Sequence, residues 1–355
     1  MTSIESDSIV GTILGTALGD ALGLPYENLS RQRAIRLLGE PGQFRFLPDR
    51  GMVSDDTEHT CLAAQALIAA GTDPDQFSHE LAWRMRWWFL SGSAGLGMAT
   101  LRSTMKLWMG ISPEHSGVFS AGNGPAMRSA ILGAAISDAD QLRKFVRIST
   151  RITHTDPKAE HAALAVAIAA RCAAREKTLQ SETFLQELQQ FLPDTPDANE
   201  LFSLLEQATD SASRGISSLE IAIKLGMKKG VSGYAYHTVP VSIHAALRHP
   251  RDFPAAVQGV IRCGGDADTT AAITGGIVGA AIGRAGLPKD WLNHLWEWPR
   301  TVGWMEQLGE QLAESIQLST PQTPLRLPRV GLLARNLLFT GIVLIHGFRR
   351  LLPPY

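Results

Sequence analysis

The sequence predicts an all-α protein in which one large helical domain holds nearly all of the chain. Apolar residues recur with a period near 3.6 along most of the 355 residues, and convincing alternating strands are almost absent. No fixed-period repeat and no clear linker precedes Thr320. We therefore expect a single helical domain at residues 1–319, with functional loops between its helices, and a separate tail at residues 320–355.

The predicted helices follow one another along this domain. They lie at residues 9–24, 57–70, 74–90, 126–136, 139–151, 157–176, 181–191, 198–215, 239–247, 254–262, 269–285, 290–298 and 302–318. In the first of them Gly11, Gly15, Gly19 and Gly23 recur every four residues and share one helical face. Because each glycine weakens a helix by about 1 kcal/mol relative to alanine, we expect this face to pack closely against another helix.

Composition and charge exclude some classes of protein. The chain is 45% hydrophobic with a net charge of −1, which allows one large core and gives no overall attraction to nucleic acid. Cys61, Cys172 and Cys263 are odd in number and lack CxxC spacing, which favours buried free thiols in a reducing cytosol. Residues 1–7 are acidic and polar, unlike a secretory signal. We therefore expect a cytoplasmic protein without a nucleic-acid partner.

The tail has a different character from the domain. Pro321, Pro324 and Pro328 form a spacer, and residues 330–348 are mostly apolar. The longest uninterrupted apolar stretch, 337–345, is far shorter than the roughly 20 residues that span a bilayer. Two alternatives stay open: weak contact with a membrane surface, or docking onto the protein itself or a sister subunit.

Two short acidic motifs carry the functional signal. The first is Ser54-Asp55-Asp56-Thr57, and it is followed by Glu58 and an Ala-rich apolar run that predicts a buried helix. Uncompensated carboxylates beside a core are usually paired or bind metal, and this motif contains no lysine or arginine. The alternative is an ordinary helix N-cap, which explains one of these residues but not two adjacent acids.

The second motif, Asp266-Ala267-Asp268-Thr269, follows Gly264-Gly265 and also opens an Ala-rich run. A cap accounts for Asp266 or Asp268 but not for both together with Thr269, and Arg262 is near enough to pair with only one of them. Hard oxygen donors suit Mg²⁺ or Mn²⁺ better than zinc. The two motifs together therefore predict one site that holds a pair of divalent ions.

The ordered set of motifs resembles the ADP-ribosylglycohydrolases, the family that includes the dinitrogenase-reductase-activating glycohydrolase. The resemblance covers roughly residues 9–310. It is carried by Gly19-Asp20-Ala21-Leu22-Gly23 with Glu27, Ser54-Asp55-Asp56-Thr57, Gly122-Asn123-Gly124 with Met127-Arg128, Thr153-His154-Thr155-Asp156-Pro157, and Gly264-Gly265-Asp266-Ala267-Asp268-Thr269-Thr270-Ala271.

The resemblance implies a single orthogonal helical domain with two Mg²⁺ or Mn²⁺ ions. The implied metal ligands are Ser54, Asp55, Asp56, Asp266, Asp268 and Thr269. Ser54 departs from the usual threonine but keeps the hydroxyl oxygen, so coordination should survive with a looser rotamer. Glu27, Asp56 and Asp268 are the implied catalytic carboxylates, with Glu27 assisting proton transfer.

The resemblance also implies where the substrate binds. Gly122, Asn123 and Gly124 match a loop that lines the ADP-ribose groove, although Asn-Gly alone is a common turn signal. His154 matches a further binding position, with a helix-entry histidine as the alternative. Tyr234 matches an aromatic near the adenine or distal ribose, a role for which Tyr236 competes.

The implied activity is hydrolysis of the N- or O-glycosidic bond of an ADP-ribosyl group on a protein or small compound. Two ions can orient the ribose hydroxyls and generate a hydroxide nucleophile. Two alternatives stay open at this point: a regulator that binds ADP-ribose or a nucleotide without hydrolysing it, and an Mg²⁺-dependent phosphoryl-ester hydrolase.

Overall fold

The computed structural model describes residues 3–353 and confirms the all-α prediction. Within that span no β-strand forms, and extended backbone is limited to isolated bridges. In chain order the helices are α1 (Ser3–Gly23), α2 (Arg31–Leu38), α3 (Asp55–Ala70), α4 (Pro74–Leu90), α5 (Met98–Trp108), α6 (Pro113–Ser116), α7 (Gly124–Met127), α8 (Ala130–Ala135), α9 (Ala139–Arg151), α10 (Pro157–Glu176), α11 (Ser181–Phe191), α12 (Pro196–Ser213), α13 (Ser218–Lys224), α14 (Ala235–Arg248), α15 (Phe253–Ile261), α16 (Ala267–Ile282), α17 (Lys289–His294), α18 (Val302–Leu318) and α19 (Arg329–Arg349).

Helices α1 and α16 form an antiparallel pair at the centre of the core. Nearly all of their described side chains are buried, and α3, α8, α10, α14, α15 and α18 pack around them. A Cβ atom added at Gly15 would lie 2.2 Å from the carbonyl oxygen of Gly275, and one at Gly19 would lie 2.1 Å from that of Ala271. The glycine face therefore lets two backbones touch, as the spacing predicts, and it aligns the end of α1 with the start of α16.

Two predicted helices are interrupted or shortened in the structure. The predicted helix 126–136 is divided into α7 and α8, because the Arg128 guanidinium takes the Gly124 carbonyl while the Arg128 backbone N–H turns to Ala126. The predicted helix 290–298 ends at His294, because the Trp296 N–H donates to the Gly51 carbonyl at 2.7 Å. Five helices of the structure have no counterpart among the predicted ones: α2, α5, α6, α13 and α19.

The apolar stretch of the tail forms one long helix that packs on the domain. The buried Arg335 of α19 pairs with Glu297 at 2.8 Å and with Glu58 at 3.4 Å. Phe339 and Ile342 join a small apolar cluster with Leu24, Phe46 and Met52. The boundary between domain and tail stays a prediction, although α18 ends at Leu318 and α19 begins eleven residues later, at Arg329.

Two helices of the described chain are long and apolar enough to cross a membrane when length and composition alone are considered. The most apolar 18-residue stretch of Ser6–Tyr26 is entirely buried within the protein, whereas only 22% of the corresponding stretch of Arg329–Arg349 is buried. The first is the central core helix. The second leaves much apolar surface exposed.

Candidate active site

A cavity of about 760 Å³ opens where the two acidic motifs meet. It lies at the C-terminal end of α1 and the N-terminal ends of α3 and α16, which the close pairing of α1 and α16 brings side by side. Its walls include ten of the residues predicted for the site: Glu27, Ser54, Asp55, Gly122, Asn123, Gly124, His154, Asp266, Asp268 and Thr269. Asp56 lies just beneath the wall, and Tyr234 is not among the lining residues.

The two motifs are in direct contact at the carboxylate of Asp56. The Thr269 hydroxyl, 213 residues away in sequence, donates to Asp56 Oδ2 at 3.3 Å, and the Ser54 hydroxyl donates to the same oxygen at 3.1 Å. Three of the proposed metal ligands therefore converge on one point. The proximity on which the sequence argument depends is present in the fold.

Asp20, on the last turns of α1, fixes the shape of the first motif. Its fully buried carboxylate accepts hydrogen bonds from the Ser54 N–H at 2.9 Å, the Thr57 N–H at 3.1 Å and the Thr57 hydroxyl at 2.5 Å. Burial raises the pKa of Asp20 to about 6. This one carboxylate satisfies donors at the start of α3, where a helix leaves N–H groups without partners.

Helix capping explains a side chain of the first motif but not of the second. Ser54 is the N-cap of α3, because its hydroxyl accepts from the Asp56 N–H at 3.4 Å. Asp266 stands at the same position of α16, yet its side chain makes no capping bond. Its Oδ2 atom instead accepts from the Asn123 amide at 2.7 Å. Capping thus accounts for one residue of the first motif and for none of the side chains in the second.

The carboxylates of the site repel one another, and the charge of Arg350 offsets this in part at Glu27 and Asp268. Burial, followed by repulsion from neighbouring acids, raises the pKa of Asp55, Asp56 and Asp268 well above the usual range. Burial and the nearby Asp266 raise the pKa of Glu27 as well. Between residues 3 and 353, no lysine or arginine forms an ion pair with any of these five acids. Such a cluster is stable in its charged form only with a cation.

Two buried oxygens are suited to accept such a cation. Asp56 Oδ1 and Asp268 Oδ1 are buried and lack a hydrogen-bond partner within the described chain. Among residues 3–353, no group of three or more His, Cys, Asp and Glu side chains is already arranged to hold a metal ion. The carboxylates take protein donors instead, as Asp56 does from Ser54 and Thr269. The all-oxygen donor set fits Mg²⁺ or Mn²⁺, and the two-ion site stays a prediction.

Comparison with known proteins identifies the family. A sequence profile described as ADP-ribosylglycohydrolase matches residues 1–322. The chain belongs to the ADP-ribosylglycohydrolase family. A solved structure titled "ADP-ribosylglycohydrolase-related protein complex" superposes with a TM-score of 0.63 at 27% identity, over 88% of this chain and 99% of that one. The predicted fold type and the predicted family are therefore both confirmed.

Relatives in sequence agree with this assignment. An uncharacterized protein of Archaeoglobus fulgidus is 31% identical over 298 residues, which is 82% of this chain and 91% of that protein. The "ADP-ribosylhydrolase ARH3" of Homo sapiens is 30% identical over 204 residues, covering 50% of this chain and 54% of the human protein. The ARH3 of Mus musculus is 27% identical over 289 residues, covering 71% and 75%. The protein is accordingly a glycosyl-bond hydrolase that acts on ADP-ribosyl linkages.

In this ADP-ribosylglycohydrolase the loop at Gly122, Asn123 and Gly124 is held in place from two sides. The Asn123 amide bridges Asp266 and the Thr238 hydroxyl. From beneath, the buried His154 fits so closely that a Cβ atom at Gly122 or Gly124 would lie 3.0 Å from its ring. Burial, with Arg128 nearby, lowers the pKa of His154 to about 3, so the ring is neutral. His154 therefore supports the loop and also lines the cavity.

The structure does not bring Tyr234 into the cavity. Its hydroxyl accepts from the Lys158 ammonium at 3.1 Å, and its ring lies 5.7 Å from that of Tyr236. Tyr236 is buried and donates its hydroxyl to the Asp197 carbonyl, so it does not line the cavity either. The cavity wall near this point consists of Gly230 to Gly233, whose backbone faces the Asn123 loop.

Two charged neighbours of the motifs are engaged away from the cavity. Glu58 is buried against Arg300 and Arg335, which hold its pKa below the usual value although burial alone would raise it. Arg262 pairs with Glu40 at 2.7 Å and not with the second acidic motif. Neither side chain therefore competes for the proposed ions.

Two structural contributions to the site are absent from the sequence predictions: Asp20 and the tail helix α19. Asp20 belongs to one of the motifs that carry the family resemblance, and a lone acid inside the apolar run 9–24 is itself a signal of a buried function. The tail was assigned no part in the site, yet Phe339 and Val343 of α19 line the cavity. Arg350 donates to the Pro25 carbonyl at 3.0 Å, two residues before Glu27. No pattern in the sequence connects the tail to Glu27.

Proposed function

We propose that this protein hydrolyses the N- or O-glycosidic bond of an ADP-ribosyl group on a protein or small molecule, with two Mg²⁺ or Mn²⁺ ions as cofactors. One observation carries the proposal. Asp56 and Asp268 each leave a buried oxygen without a hydrogen-bond partner in the described chain, at the junction of the two acidic motifs. Buried carboxylate oxygens of this kind normally coordinate a metal or pair with a cation.

The proposed ligands of the two ions are oxygen atoms from both motifs. They come from Ser54, Asp55, Asp56, Asp266, Asp268 and Thr269. When bound, such an ion pair orients the ribose hydroxyls and supplies a hydroxide nucleophile near neutral pH. The chain holds these ligands rigidly, because Asp20 fixes the first motif and Asn123 fixes Asp266.

Three carboxylates are the proposed catalytic residues. Glu27 is held by the Asn28 amide, which donates to its Oε1 atom at 2.8 Å. Burial raises the pKa of Glu27, so the group retains a proton closer to neutral pH and can deliver it to the departing nitrogen or oxygen. Asp56 and Asp268 each keep a buried oxygen without a hydrogen-bond partner in the described chain, and Asp268 lines the cavity. Phosphate oxygens of the substrate are proposed to lie against the Gly122, Asn123 and Gly124 loop.

Release of ADP-ribose tests the proposal. A panel of arginine-, serine- and small-molecule-linked ADP-ribosyl substrates is incubated with the parent protein in Mg²⁺, in Mn²⁺ and in chelator. Asp268→Asn should lower turnover at least about a hundredfold, since even residues that only orient metal ligands change activity by roughly 10- to 100-fold.

The exposed Asp290→Asn on α17 is the matched control and should retain parental activity. Turnover that chelator leaves unchanged, or that Asp268→Asn retains in full, would rule out the two-ion mechanism. The panel also identifies the preferred leaving group.

We further propose that this activity belongs to the cytoplasm. Cys61, Cys172 and Cys263 are buried free thiols, and burial raises the pKa of each to about 12. Thiols of this kind fit a compartment that keeps cysteines reduced. Fractionation of cells that express the protein checks the assignment, and recovery in an oxidising compartment would contradict it.

A further inference from the structure

The tail helix α19 is fixed in rotation by polar contacts on its inner side. Arg335 and Asn336 are buried, and Arg335 pairs with Glu297 at 2.8 Å. The Asn336 amide donates to the Ser91 carbonyl at 2.8 Å. Because both side chains are tied to the domain, the opposite side of the helix faces solvent.

The outward side of α19 is a continuous apolar stripe. Its exposed members, which we call the outer face, are Val330, Leu333, Leu337, Leu344, Ile345 and Phe348. They recur at three- and four-residue spacing, with Gly341 completing the row, and Val330 and Phe348 are 82% and 68% exposed. A stripe of this length is unusual on a surface that only meets water.

An exposed tryptophan cluster adjoins the start of this helix. The Arg329 guanidinium lies over the ring of Trp87 at 4.7 Å. Trp87 in turn contacts the edges of Trp83 at 5.8 Å and Trp108 at 5.9 Å, and all three rings are partly exposed. Tryptophan is favoured where apolar and aqueous phases meet, because its ring is apolar and its N–H is polar.

The charged side chains of the tail itself have one sign. No aspartate or glutamate follows Glu314 in the sequence, whereas the exposed Arg326, Arg329 and Arg349 flank α19 at its two ends. The chain as a whole has a net charge of −1, so this end is positive against a nearly neutral molecule. Apolar surface bordered by arginine is the pattern of a helix that lies in the interface of an anionic bilayer.

We propose that the outer face of α19 and the adjoining tryptophan cluster dock on the surface of an anionic phospholipid bilayer, with the helix lying parallel to the membrane. If α19 spanned the bilayer, Arg335 would lose its ion pairs with Glu58 and Glu297 and would lie in hydrocarbon. A second copy of the chain would bring arginine-bordered faces of like charge together. The bilayer is the partner that accepts both the apolar stripe and the arginines.

Vesicle co-sedimentation of the full chain tests the proposal. The parent protein should sediment with phosphatidylcholine vesicles that contain phosphatidylglycerol, and more weakly with phosphatidylcholine alone. Leu337→Gln combined with Ile345→Gln should lower the partition coefficient at least about tenfold, because two apolar side chains no longer enter the interface. Ile345→Gln alone is compared with Ile223→Gln, an exposed isoleucine on α13 whose substitution should have no effect.

The charge component is tested separately. Arg326→Gln with Arg349→Gln should weaken binding to the anionic vesicles by roughly fivefold per arginine, with little effect on neutral vesicles. Equal binding by parent and outer-face variants, or no binding to either vesicle, would overturn the proposal. So would a stable dimer in solution that the Leu337 and Ile345 substitutions dissociate. The readout does not use hydrolysis, so the result is independent of the enzymatic proposal.

Discussion

At the scale of single residues, Asp20 shows how one buried carboxylate organises a site that it does not enter. It accepts hydrogen bonds from three donors, the Ser54 N–H (shared by both carboxylate oxygens), the Thr57 N–H and the Thr57 hydroxyl, which lie on either side of the proposed ligands Asp55 and Asp56. An ionised acceptor strengthens such bonds. The position of the first motif relative to α1 therefore depends on one side chain.

Substituting this residue should impair the site more than the fold around it. Asp20→Asn replaces one acceptor oxygen by an amide that faces the Ser54 and Thr57 N–H groups, so the motif should shift. We expect a loss of roughly 10- to 100-fold in Mn²⁺ affinity and in turnover, as for other residues that orient metal ligands. Calorimetric Mn²⁺ titration and ADP-ribose release measure the two effects.

Asp138→Asn is the matched control, because Asp138 caps α9 at the surface and asparagine caps equally well. It should leave both quantities unchanged. Unaltered Mn²⁺ affinity in Asp20→Asn would show that the first motif holds its shape without this carboxylate.

The acidic residues of the site could be predicted from sequence, whereas its supports could not. Asp55, Asp266 and Asp268 stand in motifs whose composition alone signals an oxygen-rich site, and all three line the cavity. Asp20 bonds to residues more than 30 positions away, so its role depends on a tertiary contact that no local pattern records. Tyr234 fails to line the cavity because Lys158 holds its hydroxyl elsewhere.

At the scale of helices, the backbone contact between α1 and α16 aligns the two halves of the site. The glycine face of α1 ends at Gly23, where an added Cβ would lie 2.6 Å from the Cα of Asp268. Any change in the separation of these helices therefore also moves Asp268 relative to Asp20. The glycine spacing predicted this close approach, but the identity of the partner helix required the structure.

A methyl group in this contact should be poorly tolerated. Gly19→Ala places a Cβ 2.1 Å from the Ala271 carbonyl oxygen, so the helices must separate. We expect destabilisation of about 1–3 kcal/mol or more, the usual range for overpacking a core, measured by urea unfolding. Gly303→Ala in α18 is the control, because nothing lies within 4 Å of its added Cβ. If the two variants were equally stable, close packing against α16 would not be the reason for the glycine face of α1.

The inner side of α19 should limit the size of the leaving group. Phe339 and Val343 line the cavity and pack with Leu24, three residues before Glu27, whereas the Asn123 loop bonds to Asp266 and Gly233. The departing group is therefore expected on the apolar side. Val343→Trp should lower kcat/KM about tenfold or more for an ADP-ribosylated peptide, given the free energy of steric intrusion. Binding of free ADP-ribose, which has no leaving group, should be unchanged in calorimetry.

The comparison variant is Val330→Trp on the same helix, where the side chain is exposed. It should match the parent on every substrate in solution. Parallel loss of peptide turnover and ADP-ribose binding in Val343→Trp would place the tail against the nucleotide and not the leaving group.

At the scale of the whole molecule, the periodicity of apolar residues was sufficient to predict the fold class, and tertiary contacts decided where individual helices end. The break at Arg128 arises because a buried guanidinium replaces a helical N–H as the partner of Gly124. The α19 helix escaped prediction because Arg335 and Asn336 interrupt its apolar pattern. Those two residues turn out to be what attaches it to the domain.

The buried carboxylates couple pH and metal binding to the stability of the whole molecule. Burial, and then neighbouring acids, raise the pKa of Asp55, Asp56 and Asp268, while burial raises that of Asp20 to about 6. In the metal-free protein, the stability gained by keeping these groups protonated is present at low pH and is lost as pH rises through the raised values. Metal binding requires the ionised forms, so protons and ions compete.

Mg²⁺ should therefore stabilise the protein more at about pH 8 than at about pH 5.5, because fewer protons must be displaced. At a concentration of 100 times the dissociation constant the gain at the higher pH is about 2.7 kcal/mol. Thermal unfolding at both pH values measures the difference in Tm between the protein in Mg²⁺ and the protein in chelator. The titration of buried histidines cancels in this difference, because it is the same in both samples at one pH. Asp268→Asn should reduce the Mg²⁺-dependent shift in Tm at both pH values. An equal shift in the parent protein at the two pH values would show that the buried carboxylates are not the groups that bind the ion.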